Sequence, residues 1–500
     1  MKTPHQEVCQ EITCWTMQAV VQYESSLHRS SCNLNSSNKA WGPLIAQCIF
    51  SRLTCLSCLV FLTFIICITQ EFTYILNFHG YVATRNWMHG PAVKLFNRKI
   101  KKESASFRNQ LKYKFLNEED NDDWLQIMDG VYSYAAYWDT RFPNGSFVRI
   151  IAGAKIGNRS LPSLKCLLLD ATAGVIEEVE PTHKVLIEHH FRESRTVYIF
   201  CNTVKGQPPS MVSLVPLKWN KAWKSELNWM KVHMRKDKPS FTLGVCVRPL
   251  FNYTNIFRIV EFIAYYEALG ATHFTFYNHD STEIIWKLIK HLQHVSYSIE
   301  FLPWNLPPDI KDMWSLGQIA SINDCIYRHM GTNSYIAIVD LDEFITPRHV
   351  MNVQELLFAH EKARRRTGSF VFRSCVFCSE YRQDVLPHFI PPFITQTSVR
   401  RENWIYPFLV RTKYVVKTSE VVMAGVHHIW ELLPGAEERL VPASQVLVHH
   451  YRAHLCPGND KYRGKGEVDP ISRKYLNHLL RSKVIEVWKQ VMQNTDDEFS

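Results

Sequence analysis

The sequence predicts an α/β fold, because from about residue 240 short apolar strands alternate with helical segments of about 10–15 residues. Two further observations set the surroundings. A stretch rich in β-branched and aromatic residues precedes this region, and one long uncharged run stands near the N-terminus. The expected architecture is a sheet flanked by helices, preceded by a small β-rich domain and a single N-terminal transmembrane helix.

The uncharged run is Leu53 to Thr69, seventeen residues between Arg52 and Glu71. It has no polar face for solvent and, extended by Leu44 to Phe50, is long enough to span a bilayer. Lys39 and Arg52 precede it and Glu71 follows, which favours a cytoplasmic N-terminus. The sequons at Asn144, Asn158 and Asn252 agree with a luminal C-terminal part. The expected divisions are a tail over 1–42, an anchor over 43–69, a stem over 70–125, a β-rich domain over 126–235 and a main domain over 240–495. Charge segregation marks the stem, basic from Arg98 to Lys114 and acidic from Glu118 to Asp123. The expected location is a single-pass type II membrane protein of the Golgi with its main part in the lumen.

Seven cysteines follow the anchor: Cys166, Cys201, Cys246, Cys325, Cys375, Cys378 and Cys456. Luminal thiols can pair, and Cys166 with Cys201 is the preferred pair, since both fall in the β-rich stretch. The odd count leaves a thiol over, which permits a linked homodimer. Cys375-Val-Phe-Cys378 has redox or zinc spacing, but no second such pair exists, so a structural role is expected.

The net charge of +10 would suit nucleic acid, a membrane surface or a phosphorylated small molecule. The basic residues are scattered and no nucleic-acid-binding motif occurs, so nucleic acid is not an expected partner.

Within the β-rich stretch, Val131 to Trp138, Phe147 to Ala152 and Thr196 to Cys201 read as antiparallel strands, with turns at Pro143-Asn-Gly145 and Gly206-Gln-Pro-Pro209. Beyond residue 240, Phe241 to Arg248 is a short strand, and Asn255 to Leu269 has helical spacing, stopped by Gly270. His273 to Asn278 is the next strand, Glu283 to His294 a helix, Val295 to Leu302 a strand and Ser315 to His329 a helix. Tyr335 to Val339 then runs directly into Asp340, Asp342 and Glu343. Ligands of such sheets bind beyond the carboxyl ends of the strands, which nominates Arg248, Asn278 to Asp280 and the acidic cluster as one site.

Carboxylates at the rim of a buried strand are costly to desolvate unless a cation compensates. Asp340 and Asp342 share a face on an extended chain, whereas Glu343 points into a supporting network. Such oxygen ligands suit Mg²⁺ or Mn²⁺ with a diphosphate and water completing the shell. Two histidine pairs, His427-His428 and His449-His450, offer a further ligand, and only one of each pair can face the site on a strand.

A set of motifs in order then resembles glycosyltransferase family 92. They are Tyr134-Ala-Ala-Tyr-Trp-Asp-Thr-Arg141, Val245-Cys-Val-Arg-Pro-Leu-Phe251 and Glu261-Phe-Ile-Ala-Tyr-Tyr-Glu-Ala-Leu-Gly-Ala-Thr-His-Phe274. Gly317-Gln-Ile-Ala-Ser-Ile-Asn-Asp-Cys-Ile-Tyr-Arg328, Val339-Asp-Leu-Asp-Glu-Phe-Ile-Thr-Pro-Arg348 and Met423-Ala-Gly-Val-His427 complete the set. The resemblance implies a GT-A-type mixed sheet, a UDP-sugar donor, Mn²⁺ or Mg²⁺, inversion at the anomeric carbon and a glycan acceptor. It implies galactose as the sugar, in β linkage. Asp340 and Asp342 become the metal and donor carboxylates with Glu343 beside them, and His427 becomes a metal ligand. Arg248, Asn278, Asp280 and Gln318 become donor-binding residues. The motif Met-Ala-Gly-Val-His carries one residue more than the family's usual Met-Gly-Val-His, which leaves His427 and His428 as alternatives. Glu380, Glu402 and Glu431 lie in the expected acceptor half, and the sequence does not single out one as the base. The alternative function is a catalytically silent glycan-binding membrane protein of the same fold. A two-metal phosphodiesterase is disfavoured, since only one compact carboxylate cluster occurs.

Overall fold

The computed structural model describes residues 123–497, apart from 144, 171–174, 204–205, 220–226, 236–241, 296, 362–365, 379–380, 382, 389 and 453–465. These residues all fall in one compact unit, Glu103–Ser500, of the two into which the chain divides. The expected tail, the apolar run and the stem up to residue 122 lie outside the described residues, as do Asn144 and Glu380. Among the described residues no helix is long and apolar enough to cross a membrane.

The first sheet has nine strands among the described residues: β1 (Leu125–Met128), β2 (Val131–Asp139), β3 (Phe147–Lys155), β4 (Leu164–Asp170), β5 (Val175–Val179), β6 (Thr182–Val185), β7 (Ser194–Asn202), β8 (Met211–Pro216) and β9 (Met230–His233). Their order is β5-β4-β8-β9-β2-β3-β7-β6, with β1 on β2. Pairing is antiparallel except between β2 and β9, which run parallel. Strand alternation divides the residues between two faces. Val148, Ile150 and Ala152 enter this sheet's own core, closed by the Cys166–Cys201 disulfide. Tyr134, Tyr137, Ile151 and Tyr198 face the second sheet instead.

The second sheet begins with β10 (Leu243–Val247), followed by α1 (Ile256–Ala268), β11 (Ala271–Asn278), α2 (Glu283–His294), β12 (Ile299–Pro303), α3 (Gln318–Arg328) and β13 (Tyr335–Val339). Asn255 caps α1 by accepting the Arg258 N–H at 2.9 Å, and Gly270, at a φ of 95°, releases the chain after it. Strands β12, β11, β10 and β13 are parallel neighbours. Both faces are covered, which explains their unbroken apolar runs. Val245 and Val247 pack with α1 and α2, while Cys246, Ile336 and Ile338 pack with α3 and the first sheet.

Three differences from the sequence reading have a local cause. Helix α3 starts at Gln318 rather than Ser315, because Ser315 and Gly317 adopt left-handed φ values of 49° and 74°. Strand β12 starts at Ile299 rather than Val295, since Val295 caps α2 and the N–H groups of Val295 and Tyr297 bond back to the carbonyls of His291 and Leu292. The chain also leaves β13 at Val339, turns, and re-enters a strand at Glu343, so Asp340 and Asp342 do not sit on one extended face.

The remaining strands make the sheet mixed. They are β14 (Glu343–Pro347), β15 (Arg366–Phe372), β16 (Ser374–Cys378), β17 (Arg400–Ile405), β18 (Lys413–Lys417), β19 (Val421–Ala424), β20 (Ile429–Leu432), β21 (Ala436–Leu440), β22 (Val446–Arg452) and β23 (Glu467–Val468). Strand β18 lies antiparallel between β13 and β15, giving the order β12-β11-β10-β13-β18-β15-β21. A five-stranded sheet, β14-β22-β16-β17-β23, sets β22 against β14. Within it Cys375 is a buried free thiol while Cys378 is disulfide-bonded, so the Cys-x-x-Cys spacing is not a closed redox pair. A second disulfide, Cys246–Cys325, ties β10 to α3.

Helix α3 is buried almost all round, polar residues included. Asp324 accepts hydrogen bonds from the hydroxyls of Tyr137 and Tyr277, and Asn323 accepts one from Tyr198 at 2.6 Å. Buried polar groups survive only when satisfied in this way. The Trp138-Asp-Thr-Arg141 segment, at the end of β2 and just beyond it, acts at the same junction. Asp139 holds Arg141 at 2.8 Å and Arg149 at 3.0 Å, and Arg141 donates to the carbonyls of Ser419 and Val421.

Candidate functional site

Arg248 follows β10, Asn278 ends β11 and Asp340 follows β13, so three parallel strands deliver them to one edge of the sheet. Gln318, the first residue of α3, reaches the same edge and donates to Asp340 Oδ1 at 3.4 Å. Asp280 lies two residues beyond β11, where its backbone bonds to Leu250 and Tyr253.

Lys413, at the start of β18, is the residue that organises the carboxylates. Its ammonium lies 3.1 Å from Asp340 Oδ2 and 3.1 Å from Glu343 Oε2, with its side chain only 1% exposed. Burial works against that charge, but Asp340 and Glu343 outweigh it and hold the ammonium well above the ordinary lysine range. Glu343 also accepts the Asp340 backbone N–H at 2.9 Å, while the Glu343 N–H donates to the Asp340 carbonyl. The expected supporting network around Glu343 is therefore a reciprocal turn locked by one lysine.

Asp342 faces the other way. Its side chain is 45% exposed, and Oδ2 lies 3.2 Å from Nε2 of His450 on β22. Desolvation pushes both Asp carboxyls up. His450 prevails at Asp342 and Lys413 with Arg248 prevails at Asp340, so both are held below the usual carboxylate range. Burial disfavours charge on His450, yet Asp342 and then Glu343 raise its pKa. His449, its neighbour, points to the opposite side and lies 4.0 Å from Asp469. One member of that pair serves the site, as the strand alternation requires.

Two arginines that sequence patterns do not pick out complete the surroundings. Arg258, in the first turn of α1, lowers the Asp342 pKa and lies 3.6 Å from the buried Glu261. Arg452 ends β22 beside His450. Among the described residues, one guanidinium nitrogen in each, Nη1, is buried without a hydrogen bond, that of Arg258 having only its 3.6 Å ion pair with Glu261, and Asn278 Oδ1 is likewise without one. Orphaned donors of this kind are costly unless an anion or another acceptor meets them.

His427 reaches this region indirectly. Its Nδ1 lies 3.1 Å from the Thr412 carbonyl, and Thr412 Oγ1 donates to the His427 carbonyl, next to Lys413 in the chain. Glu188, from the loop between β6 and β7, holds the segment by accepting from Val426 N and Trp430 Nε1, both at 3.0 Å. His428 is buried and its pKa falls to about 4 through desolvation, with its ring against Trp430. Asp340, Asp342 and His427 do not bring their ligand atoms within 4.8 Å of one another; among the described residues the trio that does is His273, Glu300 and His329. The turn at 340–342 and the hold of Thr412 on His427 account for the separation.

The model of glycosyltransferase family 92 matches residues 241–495, from β10 into the C-terminal helix Lys483–Asp497, and includes every residue of the cluster. The chain belongs to glycosyltransferase family 92. A curated relative, "Beta-1,4-galactosyltransferase galt-1" of Caenorhabditis elegans, is 24% identical over 247 residues, 48% of this chain and 55% of the relative. The chain thus spans about half the length of the family relative it matches.

Solved structures resemble this family 92 chain only weakly. HddC from Yersinia pseudotuberculosis is 11% identical, covering 42% of this chain and 90% of its own, with a TM-score of 0.23. GalNAc-T7 with UDP, GalNAc and Mn²⁺ is 11% identical, covering 45% of each chain, with a TM-score of 0.26. The mannosyltransferase PcManGT from Pyrobaculum calidifontis, in complex with GDP-Man and Mn²⁺, is 12% identical, covering 53% and 78%, with a TM-score of 0.26. Likenesses at this level carry no argument about ligand or reaction.

Proposed function

We propose that the protein is a metal-dependent inverting glycosyltransferase that moves a sugar, galactose from UDP-galactose, onto a glycan acceptor in the secretory pathway. The observation that carries this reading is Asp342: a half-exposed, ionised carboxylate beside His450, on an edge where Arg258 and Arg452 each keep a buried N–H group without a hydrogen bond among the described residues. That arrangement suits a nucleotide diphosphate approaching with a cation. Membership of family 92 agrees with it.

The residues fit a hard divalent cation. Asp342 offers ionised oxygens at the solvent edge, with Asp340 beside it, which is the donor chemistry Mn²⁺ and Mg²⁺ take when phosphate and water fill the remaining positions. When bound, such a cation neutralises charge that develops on the departing diphosphate. His450 holds Asp342 in place and keeps it ionised. Lys413 and Glu343 hold Asp340 and fix the turn between the two carboxylates. Arg258 and Arg452 donate to the diphosphate, and Arg248 adds positive charge at the same edge. Phe251, 57% exposed and stacked on His279, offers a flat surface beside Arg248 for the base. We assign the protein to the Golgi as a single-pass type II membrane protein, on the apolar run at Leu53 to Thr69 and the exposed sequon asparagines Asn158 and Asn252.

The test is a donor screen with the full-length protein, a panel of glycan acceptors and UDP-sugars, with and without Mn²⁺. UDP-galactose should be consumed, Mn²⁺ should accelerate it and a chelator should stop it. Equal, negligible turnover of every donor, with UDP still bound, would favour a silent binding protein instead.

A further inference from the structure

At the opposite end of the same sheet stands a group of side chains that sugar transfer does not use. His273 lies near the start of β11, Glu300 near the start of β12, and His329 just after α3. Five residues of strand separate His273 from Asn278, or about 17 Å, so this group and the acidic cluster occupy opposite edges. Nε2 of His273 is 4.0 Å from Glu300 Oε1, and Nε2 of His329 is 3.6 Å from Glu300 Oε2. One ligand atom from each lies within 4.8 Å of the others.

We infer that His273, Glu300 and His329 form a zinc site, separate from the sugar-transfer site, that clamps β11, β12 and the end of α3 together. The spacing carries the argument. Gaps of 3.6 and 4.0 Å are too long for hydrogen bonds. They are close to the ~3.3 Å that separates two ligands of one tetrahedral zinc with bonds of about 2.0–2.1 Å. With one ligand atom of each residue within 4.8 Å of the others, a modest closure brings the three to that spacing.

The chemistry of the set agrees. Two imidazoles and one carboxylate, with a fourth position open, suit Zn²⁺ better than Mg²⁺ or Ca²⁺, which prefer all-oxygen shells. Among the described residues His273 Nε2 is buried without a hydrogen-bond partner, while its Nδ1 meets Ser298 Oγ at 2.6 Å, which fixes the ring with Nε2 toward Glu300. Both imidazole side chains are largely buried, His273 at 14% and His329 at 4% exposure. Glu300, 37% exposed, leaves an entry path. Arg328 also approaches Glu300, at 4.0 Å, but is held closer by Asp324 at 3.1 Å. Thr275 Oγ1, 2.7 Å from His329 Nε2, gives up that bond when zinc binds.

The experiment uses chelator-treated full-length protein in an Asp342→Asn background, which silences the acidic cluster. Zn²⁺ alone is titrated by calorimetry, and Co²⁺ is followed by its visible absorption. One zinc should bind that Glu300→Gln and His273→Gln each weaken by ~100-fold or more, with the Zn²⁺-induced rise in Tm lost in both. If His273→Gln fails to fold, the surface substitution Glu300→Gln and the cobalt spectrum still decide. Zinc affinity and stoichiometry unchanged by these substitutions, or no zinc bound at all, would overturn the proposal.

Discussion

His450 Nε2 lies 3.2 Å from Asp342 Oδ2, and the two residues are 108 positions apart in the chain. The pair exists because β22 runs antiparallel to β14, setting His450 directly opposite Glu343 and one step from Asp342. His450→Ala should therefore cost activity by loosening Asp342, without unfolding the sheet. We expect kcat/KM to fall roughly 100-fold, as misplacement of a reacting group by an ångström does. Kinetics at matched folded fraction check this, and an unchanged kcat/KM would remove His450 from the site.

Lys413 is the sole ammonium joined to both Asp340 and Glu343 among the described ion pairs. Lys413→Met keeps the length of the chain and removes the charge, leaving two carboxylates buried together. Breaking a buried pair from one side costs about 3–5 kcal/mol. Urea unfolding should show a loss of that size, and a change under 1 kcal/mol would contradict the geometry.

Asp139 gives a prediction in pH. Burial pushes its carboxyl up, but hydrogen bonding and charge from Arg141 and then Arg149 bring it down to about 2. A folded-state value below the ordinary one stabilises the protein fully above about pH 4, and that contribution is lost as pH falls through about 2. Asp139→Asn should thus destabilise by about 3 kcal/mol at pH 7, and the gap from wild type should close near pH 2. A gap independent of pH would contradict it.

Gly425 sits where an added Cβ would come within 2.4 Å of both Glu188 Oε2 and Trp430 Nε1. Gly425→Ala should displace the His427 loop from Glu188, and Glu188→Gln should weaken the same anchor. Both should lower kcat for sugar transfer, Gly425→Ala by the larger factor, roughly 100-fold. Measured Tm should drop by only a few degrees, since the contact is local.

The Cys246–Cys325 disulfide closes a sequence separation of 79 residues between β10 and α3. Replacing both cysteines by serine should cost about 2–5 kcal/mol of stability, read by chemical denaturation. Equal stability would mean that the pair is not formed in the purified protein.

How much of this was legible in the sequence follows from the range of each interaction. The apolar run Tyr335 to Val339 ending in acids, the helix stopped by Gly270 and the glycine turn before β3 are local patterns, and each occurs where periodicity puts it. Asp340 and Asp342 were readable as a pair, but the turn between them was not. That turn is imposed by Glu343 bonding back to Asp340 and by Lys413, 73 residues beyond Asp340. Lys413, Arg258 and Arg452 carry no motif; they become visible only once β18 and β22 find their partners. The choice between His449 and His450 depends on strand register, and the likeness of His427 to a family segment gave no hint that Glu188, in the loop between β6 and β7, holds its segment.

The central claim is that Asp342 works with a divalent cation to transfer a sugar from its nucleotide. The most direct measurement is UDP release from UDP-galactose with acceptor, at a range of Mn²⁺ concentrations, for wild type and Asp342→Asn with matched circular dichroism. The account predicts Mn²⁺-dependent turnover in the wild type and loss of at least ~100-fold in the variant. Equal rates in the two proteins, or a wild-type rate indifferent to Mn²⁺ and to chelation, would contradict it.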